Sequence, residues 1–329
     1  PDKNPAEDPA EDESPTKRPK VSDAVGGAEI KVAVPCKCVL GESPVWDAAM
    51  KKLHFVDIQG KKLYSWDPVT TDLKEWDTPD EVGCVVPHTD SSLLIAVVDK
   101  ILKVDATKDK ADALSEVASL PEGHCPAGFR FNDGKCDPRG RLWVGTMNKD
   151  WRDPSASKGK LYCMGPDMKL ETKLEDVGLS NGMGWFGSAS TDKATDTAFD
   201  TFFFVDSAKQ QVATWDYDDK AGAIGNERVT VSVPTLDEGG GTPDGMTVDS
   251  EGRVWVAVPN GGYVAQYDPS SGKELQRVRL PVKRPTACTF GGPDLQTLYV
   301  TTREQGADGP TEAGSLLSVT IPGVKGHHP

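Results

Sequence analysis

The sequence predicts an all-β chain, a six-bladed β-propeller preceded by a disordered N-terminal tail. Three observations carry that expectation. Short runs rich in Val, Phe, Tyr and Trp alternate with Gly, Asp, Asn and Pro turns. No long stretch shows a helical period. One order of three strand signals recurs along the chain at intervals of about 40 to 60 residues, the span of a propeller blade. The 329 residues include 33 glycines and 25 prolines, as a fold of many turns requires.

In chain order, residues 1–28 come first. They are rich in Pro, Glu, Asp and Lys and contain no aromatic residue, so they bury too little apolar surface to offset the entropy of ordering and are expected to be disordered. Their TKRPK run (16–20) reads as a solvated mixed-charge segment or, alternatively, a nuclear-import signal. The propeller is expected over 29–329. Its clearest copies open at ESPVWD (42–47), NDGKCD (132–137), NGMGWF (181–186) and DGMTVD (244–249), each followed by two strand signals such as KLHFVD and KLYSWDP. Fainter copies begin near Gly83 and Thr286, giving six. The segment SASTDKATD (188–196) reads as a surface-loop insertion, and the eight Trp residues read mostly as packing between blades.

Bulk properties narrow the function. A net charge of −14 argues against a nucleic-acid partner and suits a protein that attracts cations. No apolar run approaches the ~18–20 residues of a membrane span, and no signal-peptide core is visible. The seven cysteines, an odd and scattered set, including the Cys36-x-Cys38 pair, read as reduced strand residues. These features point to the cytoplasm, with the nucleus added if TKRPK is read as a signal.

The repeat also yields a candidate site. Glu42, Asn132 and Asp244 each stand five positions before an Asp, and Asn181 stands five before Phe186. The four share one register, just ahead of the first strand of a blade, and should form a ring at one mouth of the central channel. Carboxylate and amide oxygens there suit a hard divalent cation. Each Asn-Gly or Asp-Gly pair (133–134, 181–182, 244–245) is also an ordinary turn signal, and only the coincidence of register favours a site. His54, His88 and His124 lie apart from one another, and His327 and His328 lie at an expected frayed end. The glycine-rich 238–245 lacks the Lys-Ser/Thr of a phosphate loop and reads as a long loop.

Taken together, GESPVWD (41–47), RFNDGKCDPRGRLWVGTM (130–147), SNGMGW (180–185), FFVDSAKQQVATWDYD (203–218), PDGMTVDSEGRVWVAVPNGG (243–262) and EAGSLLSVTIPGVKG (312–326) resemble the SMP-30/gluconolactonase family over nearly all of the folded part. The resemblance implies a six-bladed propeller hydrolase with one divalent metal (Ca²⁺, Zn²⁺, Mn²⁺ or Mg²⁺) held by Glu42, Asn181 and Asp244. It implies that Arg130 and Asn132 contact substrate hydroxyls, and it places Asp150 where vertebrate members carry a Glu after GTM, so that Asp150 is expected to hold substrate hydroxyls with them. The segment before RFNDG, PEGHCPAGF (121–129), departs from the family pattern.

The reaction expected is hydrolysis of a sugar-acid lactone, with the metal as Lewis acid and a carboxylate accepting the proton of water. Asp244 is the first choice of base and Asp206 the second. Other classes stay open: a calcium-binding regulatory protein without turnover, a protein-interaction propeller, and an aryl-ester or organophosphate hydrolase. The small-molecule lactone is the only partner expected; the oligomeric state is not legible.

Overall fold

The computed structural model describes residues 27–89, 91–108, 114–187 and 199–327. The expected tail, apart from Gly27 and Ala28, and the expected 188–196 insertion lie outside these residues. Twenty-four strands form six four-stranded antiparallel sheets. Among the described residues the only helical pieces are three-residue 3₁₀ turns.

The first blade is β2 (Gly41–Asp47), β3 (Lys52–Asp57), β4 (Lys62–Trp66) and β5 (Leu73–Asp77). The second to fifth blades open with β6 (Val82–Pro87), β10 (Phe129–Cys136), β14 (Ser180–Phe186) and β18 (Met246–Val248). The sixth is closed by the opposite end of the chain: β1 (Glu29–Val34) pairs with β24 (Leu316–Thr320), outside β23 (Thr297–Thr302) and β22 (Pro285–Gly291). The ring of blades is thus sealed by backbone hydrogen bonds between residues nearly three hundred positions apart in sequence.

The core lies between blades. Trp143 of the third and Trp185 of the fourth meet with ring centroids 5.9 Å apart, and Trp66 of the first meets Tyr299 of the sixth at 5.8 Å. Trp151 departs from the expected packing role and stands at a cavity rim. Cys36 and Cys38 also differ from expectation: they follow β1 rather than lie in a strand, with Cys38 Sγ 3.4 Å from Cys36 Sγ. All seven cysteines are free. His327 is packed rather than frayed, its ring 5.8 Å from Phe186 and 6.1 Å from Phe199.

The residue five positions after each ring residue is structural. Asp137 Oδ1 accepts the Arg139 and Arg141 N–H groups, while Oδ2 accepts Trp143 Nε1–H at 3.0 Å and Tyr217 O–H at 2.7 Å. Asp249 repeats this with Glu251 and Arg253 N–H and with Trp255 Nε1–H at 3.0 Å. Asp47 accepts the N–H groups of Ala49 and Met50. Each Asp closes the turn between the first two strands of its blade. This fixes the register of the inner strand, and with it the residue at the strand's other end.

Candidate metal centre and its cavity

A bulge interrupts the inner strand of each of five blades, between Glu42 and Val45, Val82 and Cys84, Phe131 and Gly134, Ser180 and Met183, and Pro285 and Cys288. Bulges bend a strand and re-aim its side chains. Glu42, Asn132 and Asn181 therefore sit inside strands at these irregularities, and Asp244 lies two residues before β18. The Gly that follows is not a turn residue. A Cβ on Gly182 would overlap Met246, and one on Gly245 would overlap Ala287, so glycine lets neighbouring inner strands converge on a narrow channel.

The four ring residues line one cavity of about 390 Å³, together with Thr286 of the sixth blade. Thr286 turns its hydroxyl to the Gly41 carbonyl, and its own carbonyl accepts from Gly245 N–H. Gly83 fills the second blade's position without a side chain, its Cα closely backed by the Phe131 and Asn132 carbonyls. The floor thus runs Glu42, Gly83, Asn132, Asn181, Asp244, Thr286, blade by blade. Two residues earlier in every blade come Leu40, Glu81, Arg130, Leu179, Thr242 and Arg284, and all six line the same cavity as its wall. The sequence order of the repeat has become the depth order of the site.

Hydrogen bonds orient the floor. Asn181 Nδ2 donates to Ser207 Oγ at 2.6 Å, which turns Oδ1 toward the ring, where it accepts Asn132 Nδ2–H at 2.8 Å. Asn132 also donates to the Ser180 carbonyl and accepts Arg130 Nη1–H at 2.7 Å. Arg130, buried, faces Glu81 with Nε 3.7 Å from Oε2, and Lys149 pairs with the same carboxylate at 2.5 Å.

The carboxylates are held at a cost. Burial, then the Asp244 and Asp133 charges, push the Glu42 carboxyl well above its usual range, against the Ser43 N–H and Arg130. Burial and Asp133 raise Asp244 in the same way. Asp133, below the ring, is pushed up to about 6 by burial, with Lys135 and the Gly134 N–H opposing. Three mutually repelling, desolvated carboxylates are a site that a cation stabilises. Among the described residues no three His, Cys, Asp or Glu side chains come together as a metal set. A metal centre here therefore needs an amide oxygen, and Asn181 Oδ1, with a second lone pair beyond the Asn132 bond, fits that need.

Two expected residues lie elsewhere. Asp150 is exposed in the turn after β11 (Leu142–Asn148), and its neighbours Lys149, Trp151 and Arg152 line the cavity instead. Asp206 ends β15 (Thr201–Asp206) and does not line the cavity; its oxygens accept the Gly178 and Leu179 N–H groups at 3.1 and 2.9 Å. It pins the loop that leads into Asn181, as Asp57 pins Val39 and Leu40 ahead of Glu42. The residues missed by sequence reasoning are Asp133, Glu81, Thr286, Trp151 and the cationic rim of Lys149, Arg152, Arg284 and Arg303. The ring register itself marks Thr286, and the step of two before it marks Glu81 and Arg284; the others lie at neither register.

A polar cavity of this size, with an oxygen-rich floor at one mouth of a six-bladed propeller, has the form of a candidate small-molecule site. The chain belongs to the SMP-30/Gluconolactonase/LRE-like family, whose model matches residues 40–304. It is 38% identical to regucalcin of Danio rerio over 306 residues, covering 92% of this chain and 97% of the relative. Among solved structures it is similar to a luciferin-regenerating enzyme (TM-score 0.79, 27% identity, 92% of this chain and 98% of that one). It is also similar to a calcium-binding protein, regucalcin, of Agrobacterium tumefaciens (TM-score 0.77, 25% identity, 90% and 94%). No helix among the described residues is long and apolar enough to cross a membrane.

Proposed function

We propose that this protein is a divalent-metal-dependent hydrolase that opens lactones of sugar acids. The observation that carries the reading is the convergence of Glu42, Asp244 and Asn181 Oδ1 on the floor of a polar cavity whose wall presents Arg130. Glu42, Asn181 and Asp244 would hold the cation, which when bound supplies the charge that polarises an ester carbonyl. Arg130 and Asn132, locked to each other, present N–H donors and a carbonyl oxygen to sugar hydroxyls. Asp244, half-buried on the floor, is the proposed acceptor of the proton of the attacking water. Asp150 would reach substrate only by movement of its turn, and we assign the rim to its neighbours. Seven free thiols fit a reducing compartment such as the cytoplasm.

The test is a pH-indicator assay over a panel of aldonolactones, with chelated protein and each metal added back. Activity abolished by chelation and restored by one ion is expected; full activity in protein shown metal-free by elemental analysis would defeat the proposal. The second reading, cation binding without turnover, draws on the calcium-binding Agrobacterium relative. A stoichiometric ion with no lactone or ester hydrolysis would establish it.

A further inference from the structure

The wall of the cavity is asymmetric in charge. Arg130 in the third blade and Arg284 in the sixth hold the same register, two residues before Asn132 and Thr286, on opposite sides of the channel. Arg130 is matched by Glu81 and tied to Asn132. Arg284 is exposed, lines the cavity, and among the described residues has no carboxylate partner. Arg303 lies beside it, donating its backbone N–H to the Arg284 carbonyl at 2.9 Å. Among the described residues the Arg303 guanidinium meets only the neutral Gln59 amide, Nη2 to Oε1 at 3.2 Å. Across the mouth, Arg152 stacks on Trp151 at 4.2 Å, and among the described residues it too has no acidic partner. In a chain of net charge −14, three guanidinium groups unneutralised by carboxylates gather at one opening.

Hydroxyls of a neutral sugar do not call for that. Two adjacent guanidiniums repel each other, and the repulsion is relieved by an anion between them; planar, forked donors match phosphate and carboxylate oxygens. The position is also suitable. Thr286, two residues after Arg284, stands between the blades that carry Asp244 and Glu42, touching Gly41 on one side and Gly245 on the other. Arg284 therefore stands above the carboxylate side of the floor. Arg284 and Arg303 thus offer a cationic edge to the far end of a ligand whose carbonyl lies at the floor.

We infer that the substrate is an anionic aldonolactone, bearing a phosphate or carboxylate remote from its ester carbonyl, and that Arg284, with Arg303, receives that group. The inference rests on the lactonase reading for the word lactone, and on the charge and register of the wall for the anion. The same three guanidiniums raise the local concentration of an anionic ligand by electrostatic steering, which salt screens.

The experiment uses full-length, metal-loaded protein. Hydrolysis of glucono-δ-lactone is compared with that of its 6-phospho derivative and of a glucarate lactone, the last two separating phosphate from carboxylate. We expect kcat/KM for at least one anionic lactone to exceed that for the neutral one by about ten-fold or more, the scale of a charged hydrogen bond. High salt should erode the advantage. Arg284→Gln should remove most of it through KM, whereas Lys283→Gln, a neighbouring exposed cation outside the cavity, should keep it. Equal kcat/KM for all three lactones, unmoved by Arg284→Gln, overturns the inference. If no lactone is hydrolysed, calorimetry with 6-phosphogluconate against gluconate decides separately. Tighter binding of the phosphorylated acid, lost in Arg284→Gln, keeps the anion site and removes only the hydrolase reading; equal binding overturns the anion site.

Discussion

Asp244 and Arg130 face the same cavity with different physical tasks, and their replacements should separate. Asp244→Ala removes the proposed charged oxygen ligand and proton acceptor. Metal content should fall, and kcat with it, by on the order of 10²-fold or more, comparable to losing a principal electrostatic stabiliser. Arg130→Ala cannot remove a ligand, so metal stoichiometry should stay normal while KM rises and kcat/KM falls by roughly one to two decades. Metal analysis and lactone kinetics on both variants check this. Retention of metal and turnover in Asp244→Ala would show the site misplaced, and unchanged kinetics in Arg130→Ala would place the substrate elsewhere. At this scale the sequence was legible where register could be counted: Glu42, Asn132, Asn181 and Asp244 share a register and line one cavity. It had no means of judging Asp206, an acid in a strand motif like any other until its oxygens are seen to be filled by Gly178 and Leu179 N–H groups. Asp150 was placed by spacing from a family motif, and spacing does not say which residue of an exposed turn faces inward.

Each blade's first strand carries two registers with opposite thermodynamic signs. Asp137 and Asp249 satisfy buried donors, including the indole N–H groups of Trp143 and Trp255. The ring residues Glu42 and Asp244 are instead kept as acids against burial and mutual repulsion. Asp137→Ala should cost roughly 3–5 kcal/mol, because it strands the Trp143 and Tyr217 donors and the Arg141 guanidinium in a buried network. Asp244→Asn should raise the melting temperature of metal-free protein while abolishing metal binding, the usual exchange of function for stability. Melting curves of both variants in chelator test the contrast; a destabilised Asp244→Asn would mean that its carboxylate serves the fold. The five-residue spacing made both registers readable at once. The second and sixth blades were fainter because Gly83 has no side chain and Thr286 spends its hydroxyl on Gly41. The closing role of β1 was not readable, because the EIKVAV pattern does not indicate a partner at the far end of the chain.

For the whole molecule, the family match begins at residue 40 and the closing strand at Glu29, so deletion of residues 1–26 should leave kcat and melting temperature nearly unchanged. Deletion through Val34 removes the strand that seals the sixth blade and should lower stability sharply; equal effects of the two deletions would contradict this division. The pH dependence of stability follows from the channel. Asp133 is pushed up to about 6 by burial, and Glu42 and Asp244 are raised well above their ordinary ranges. A carboxyl raised on folding binds its proton more tightly in the native state. Its contribution is therefore fully present below the unfolded value of about 4 and is lost as pH climbs through the folded value. Loop carboxylates work the other way: Asp67, held low by the Val69 and Thr70 N–H groups, and Asp153, held low by Ser155, lose their contribution as pH falls below about 4. Metal-free protein should therefore be most stable between about pH 4 and 6 and weaken toward neutrality. A divalent cation on the floor reverses the second limb, because it binds best when all three channel carboxylates are ionised. The rise in melting temperature on adding the ion should grow as pH climbs through about 6, where Asp133 gives up its proton. The check is a thermal-shift series at constant ionic strength with and without chelator. A metal-induced shift that is independent of pH, or metal-free protein that gains stability over the same rise in pH, would mean that the channel carboxylates are not where the cation is held.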